Sequence, residues 1–81
     1  MNLERTTMKG QLAGLEERRK KLRLRIEGNC AAVRNGLNTL LNDIDDLNVP
    51  VAAEQMDELV MAWGELQSVN GKIARLNREL E

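Results

Sequence analysis

The sequence predicts an all-α fold, an antiparallel helical hairpin of coiled-coil type, and three observations carry that expectation. Over residues 59–80, Leu59, Ala62, Leu66, Val69, Ile73, Leu76 and Leu80 recur at alternating spacings of three and four with no polar interruption. That is a helical seam, and it needs a partner surface. The composition is rich in Leu, Glu, Arg, Ala and Asn with one aromatic residue, Trp63, which favours helices over a sheet. Pro50 is the only proline, and it separates two long periodic stretches.

Taken in chain order, residues 1–7 carry weak periodicity. Asn2, Thr6 and Thr7 are each candidates for a helix N-cap, with Glu4 suited to the positive end of the helix dipole. From Met8 the apolar stripe is readable: Met8, Leu12, Leu15, then Arg19 where an apolar residue is due, then Leu22 and Ile26. Strict heptad spacing would next place Asn29, Gly36 and Asp43 in the seam. One four-residue step instead restores Cys30, Val33, Leu37, Leu40, Ile44 and Leu47, all apolar. This reads as a stutter inside one helix covering about residues 3–47. The alternative is a three-helix bundle with a break at Gly28 or Gly36, since Gly and Asn reach left-handed backbone conformations cheaply. The unbroken stripe favours the single helix, because an intervening loop has no reason to preserve its phase.

Pro50 cannot sit inside a helix, it restrains Val49, and Asn48 suits a turn or cap, so the bend is expected at about residues 48–51. A second helix then covers about residues 52–81, with Glu54, Asp57 and Glu58 near its positive end. Folded about that bend, Leu47 meets Ala52, Leu40 meets Leu59, Val33 meets Leu66 and Ile26 meets Ile73. The second arm would end opposite residue 18 or so, and the first would project about 25 Å beyond it at about 1.5 Å per residue. Met8, Leu12 and Leu15 would then lack an intramolecular partner. An uncovered helix of that length is marginal in water, so the expectation is a homo-oligomer, a homodimer or higher, in which hairpins form a multi-helix bundle.

In that reading the oligomer interface is Met8, Leu12, Leu15 and Trp63. Trp63 lies in a row flanking the second seam with Met56, Asn70 and Asn77, and Asn70 and Asn77 are placed to fix register. Gly10 with Gly14, and Gly64 with Gly71, are small residues at spacings that permit close helix approach. Each costs about 1 kcal/mol against Ala in a helix interior.

The net charge of −1 is small but unevenly distributed. Residues 1–33 hold eight basic and four acidic side chains, whereas residues 34–65 hold Arg34 against Asp43, Asp45, Asp46, Glu54, Asp57, Glu58 and Glu65. Hairpins laid antiparallel would oppose these regions, which chooses orientation more than it drives association.

Chemistry-bearing groups are sparse. There is no histidine or tyrosine, Ser68 is the only serine, and Cys30 is the only cysteine. A nucleophile without a base is not a catalytic site, so no enzyme, cofactor or metal site is expected. Cys30 excludes an intrachain disulfide and, on the apolar stripe, reads as a small buried hydrophobe. Asp43, Asp45 and Asp46 do not fit a calcium loop, because Leu47 replaces the third oxygen ligand and neither the glycine nor the bidentate Glu follows. The first residues lack the apolar core of a signal peptide and no apolar run approaches a membrane span, which points to a cytoplasmic protein with no membrane partner.

The remaining motif is the basic stretch of Arg18, Arg19, Lys20, Lys21, Arg23 and Arg25. As a solvated face it would pair with neighbouring Glu16, Glu17, Glu27 and Glu79. As an anion patch it would bind phosphates without reading sequence. The chain therefore resembles short coiled-coil proteins in pattern, and the expected function is a non-enzymatic structural or protein–protein interaction module, with itself or another protein as partner. The alternative is a small accessory protein that binds nucleic acid through residues 18–25. Salt-dependent retention on generic DNA or RNA separates the two: a chain that ignores both at low ionic strength is no nucleic-acid binder.

Overall fold

The computed structural model describes residues 3–81. The order is α1 (Leu3–Gly36), a single 3₁₀ turn (Ile44–Asp46) and α2 (Val49–Leu80), and the two helices pack antiparallel along their lengths into a rod of 65 × 15 × 15 Å. The predicted all-α hairpin is the observed fold. No described residue is in a strand.

The ends of the helices differ from expectation in ways that local chemistry explains. Asn2, one candidate cap for α1, lies outside the described residues, and Thr6 and Thr7 fall inside the helix. Thr7 donates its hydroxyl back to the Leu3 carbonyl at 2.9 Å. At the other end, α1 stops at Gly36 and not near residue 47. Asn35, Gly36, Asn38, Thr39, Asn42 and Asp43 are all poor helix formers, and the Asn and Asp side chains offer the backbone competing partners. Asn42 donates its amide to the carbonyls of Asn35 and Asn38 at 3.0 and 3.1 Å, closing the end of the helix. Asn38 accepts from the Leu40 N–H at 2.9 Å, and Asp43 caps the 3₁₀ turn by accepting from the Ile44 N–H at 3.1 Å. No described residue, glycine included, has a positive φ. The break at Gly36 therefore uses side-chain hydrogen bonds in place of a left-handed cap, and it leads to a linker, with no third helix.

α2 begins slightly early, at Val49. Asn48 is its N-cap, accepting from the Val51 N–H at 3.4 Å, and the first helical bond runs from the Ala52 N–H to the Asn48 carbonyl at 3.1 Å. Pro50 sits in the first turn, where its missing N–H would have no intrahelical acceptor in any case. Glu54, Asp57 and Glu58 lie beyond that turn, which holds no acidic residue.

The earlier end of α1 gives arms of 34 and 32 residues, and their near-equality resets the register. Leu15 now lines the same groove as Leu76, and Ile26 the same groove as Leu66. At the open end Arg5 donates to the Leu80 carbonyl at 2.8 Å. The expectation that Met8, Leu12 and Leu15 lack an intramolecular partner is corrected. Leu12 and Leu15 pack against the core, and Met8 is half-buried.

The core is the expected α2 seam, with Ala62, Val69, Ile73 and Leu76 buried and Leu59, Leu66 and Leu80 half-buried, and it continues back to buried Ala52. From α1 only Leu22 is fully enclosed, at 1% exposure, against Ala62, Val69 and Ile73. Arg19 takes its seam position half-buried, which the apolar stem of an arginine tolerates. Beyond Ile26, Asn29 is half-buried together with Cys30 and Val33, so positions of the strict heptad and of the shifted stripe both lie toward the seam. Leu37, Leu40 and Ile44, expected in that seam, are exposed.

Since Leu22 is the one side chain closed off on every side, Leu22→Ala should destabilise the hairpin by about 3 kcal/mol, a large-to-small cost with little room for collapse. The urea midpoint would fall with little change in slope.

Candidate functional site

Helix geometry disperses the basic stretch. At about 100° per residue, Arg18 and Arg25 lie on one flank of α1, Arg23 on the other, and Lys20 and Lys21 on the back. Arg18 donates to the Glu65 carboxylate of α2, the one interhelix ion pair among the described residues. Arg25, Glu58, Met61, Ala62 and Glu65 line a groove on that same flank. The six residues thus do not form one basic face, and Arg19 is taken up at the seam.

The Arg18 hydrogen bond lowers the Glu65 carboxyl from its ordinary value against an opposing desolvation, with the Arg18, Arg25 and Lys72 charges adding to the effect. The reciprocal bond raises the Arg18 guanidinium. Both side chains are 44% exposed, so the pair is well screened and contributes little to stability.

Asp43, Asp45 and Asp46 serve the linker, where Asp43 caps the 3₁₀ turn. Among the described residues no three His, Cys, Asp or Glu side chains come together as a metal would require. Cys30 is half-buried and free. The Asn70 side-chain oxygen and the Asn29 side-chain nitrogen are enclosed without a hydrogen-bond partner, whereas Asn77 is exposed. Left without partners, these two groups cost stability in the native register, and neither forms the polar pair that would favour it over a slipped one. A Cβ added at any of Gly10, Gly14, Gly64 and Gly71 meets nothing within 4 Å, so packing within the chain does not require these glycines.

The most prominent surface was only partly visible in the sequence. Of the twelve exposed large apolar side chains among the described residues, ten lie between Leu37 and Trp63. Leu40 is 94% exposed, and Leu41 and Ile44 project from the linker beside it. On α2, Val49, Ala53, Met56, Val60 and Trp63 follow spacings of four and three, a second stripe lying about 100° from the seam. Trp63, expected at an interface, is 57% exposed, whereas Leu12 and Leu15 pack against the core of their own chain. The missed signal was this second stripe, of which the sequence reading took only Met56 and Trp63.

Between the helices, on the flank of α1 that carries Arg23, a groove is lined by Arg23, Ile26, Glu27, Cys30, Arg34 and Leu66. Its floor is apolar and its rim is mostly cationic. Neither Arg23 nor Arg34 is paired with a carboxylate among the described residues.

No helix among the described residues is long and apolar enough to cross a membrane. No protein-family model, curated protein or solved structure matches the chain.

The ion pair carries a pH signature. The Glu65 contribution is fully present above the ordinary carboxylate pKa and is lost as pH falls through its depressed folded value. Wild type and Glu65→Gln should therefore differ slightly in unfolding midpoint at neutral pH and converge in strongly acidic buffer.

Proposed function

We propose that this protein is a non-enzymatic association module, a helical hairpin that joins a second copy of itself through its linker half. The observation that carries this reading is the gathering of exposed apolar side chains between Leu37 and Trp63. Scattered apolar side chains on a surface need no explanation, but ten large ones gathered in the linker half of a small chain mark a place for another surface to sit. The second α2 stripe supports it, since a helix with apolar residues on two flanks about 100° apart is built to touch two neighbours, as in a helical bundle.

Charge favours an antiparallel arrangement. The linker half is acidic through Asp43, Asp45, Asp46, Glu54, Asp57 and Glu58, and Arg18 to Arg25 begin the basic portion next to it. Copies pointing opposite ways bring unlike regions together, and copies pointing the same way stack like charges. The overhang first expected at Met8, Leu12 and Leu15 plays no part in this reading.

Sedimentation of the full chain from micromolar to millimolar concentration tests it. Mass should rise toward that of a dimer, Trp63 emission should shift red on dilution, and Val60→Glu with Trp63→Glu should leave a folded helical monomer. A wild-type chain monomeric throughout refutes the reading.

A further inference from the structure

The linker and the cationic groove are complementary in both components of their chemistry. Leu37, Leu40, Leu41 and Ile44 stand at spacings of three, one and three, the pattern of an amphipathic turn, yet their own chain leaves them exposed. The segment is nevertheless ordered into bends by the Asn38 and Asn42 hydrogen bonds and the 3₁₀ turn, so the apolar side chains are held outward on a defined backbone. Asp43, Asp45 and Asp46 lie among them. The groove offers the counterpart, with Ile26, Cys30 and Leu66 as apolar floor and a rim on which Arg23 and Arg34 outnumber Glu27.

Position along the rod suits the match. Arg34 and Arg23 stand about 3 and about 20 Å from the Gly36 end of α1, and the linker continues outward from that end. Two hairpins related by a two-fold axis, opposed at their linker ends and overlapping by about 20 Å, present each linker to the other's groove. Such a contact is isologous and closes on itself, so it ends at the dimer.

Resting on the self-association argued above, we infer that the linker of one copy docks into the groove formed by Arg23, Ile26, Cys30, Arg34 and Leu66 of a second copy. Leucine side chains cover the groove floor, and the linker carboxylates face the two arginines. Charge sets the pairing of segment with groove, while the apolar side chains supply the burial. The occupant is thus an acidic, leucine-bearing segment, and the chain itself carries one.

The test uses Leu40→Cys in the full chain, a site so exposed that folding is undisturbed, oxidised with diamide at a concentration where sedimentation shows the associated species. A disulfide between Cys30 of one chain and the introduced cysteine of another, assigned by peptide mapping, is the expected product. Asp45→Lys with Asp46→Lys should weaken wild-type dimerisation about tenfold, and adding Arg23→Glu with Arg34→Glu should restore it. Joining of the two cysteines within one chain would overturn the inference, because the linker would then cover its own groove. If wild type dimerises but the associated Leu40→Cys chain gives no such interchain bond and the charge exchange has no effect, the inference is also overturned, leaving self-association intact. A chain that never associates overturns both.

Discussion

The point at which α1 stops governs the rest of the molecule. A two-helix rod has one seam, and each apolar residue on it is covered only if a residue of the other arm stands at the same level. By ending at Gly36, α1 becomes nearly as long as α2, and the open end closes with Arg5 on the Leu80 carbonyl. Leu12 and Leu15 then lie against the core that Leu22, Ala62, Val69 and Ile73 form. The side chains that would have continued the stripe are left in water instead, Leu40 most of all. One chain of this length cannot cover both ends, and this one covers the end that completes the seam.

The hairpin was legible because a 3.5-residue apolar period sustained over residues 59–80 has few other structural meanings. The boundary at Gly36 was not, because the stripe through Leu37, Leu40, Ile44 and Leu47 keeps a helical period across it. Periodicity tells which side of a segment is apolar and says less about whether the backbone there is wound. That information lay in Asn38, Asn42 and Asp43, whose short polar side chains bond the backbone locally and end the ladder. With the bend set too late, the pairing register and the burial of Met8, Leu12 and Leu15 followed it into error. The readings that needed only local position held better: Trp63 flanks the seam and Arg19 occupies it, although Pro50, read into the bend, sits in the first turn of α2.

Legibility of the candidate site divides the same way. The sequence showed opposite charge in neighbouring regions, and it showed Trp63 beside the seam, since both follow from residue order. It gave no view of the groove, which exists only because Arg23, Ile26, Cys30 and Arg34 of one helix are brought level with Leu66 of the other. The dispersal of the basic run around α1 follows from helical periodicity and was legible, whereas the pairing of Arg18 with Glu65 across the hairpin was not.

The dimensions of the rod carry a consequence for how it senses its surroundings. At physiological ionic strength the Debye length is about 8 Å, far shorter than the 65 Å long axis and about half the width. The two ends are therefore electrically independent of each other, and a molecule approaching one of them feels only the side chains within a turn or two. Its long-range field is close to nil, and selection among neighbours takes place at touching distance, where changes in ambient salt act on the last step of an encounter and hardly on the first.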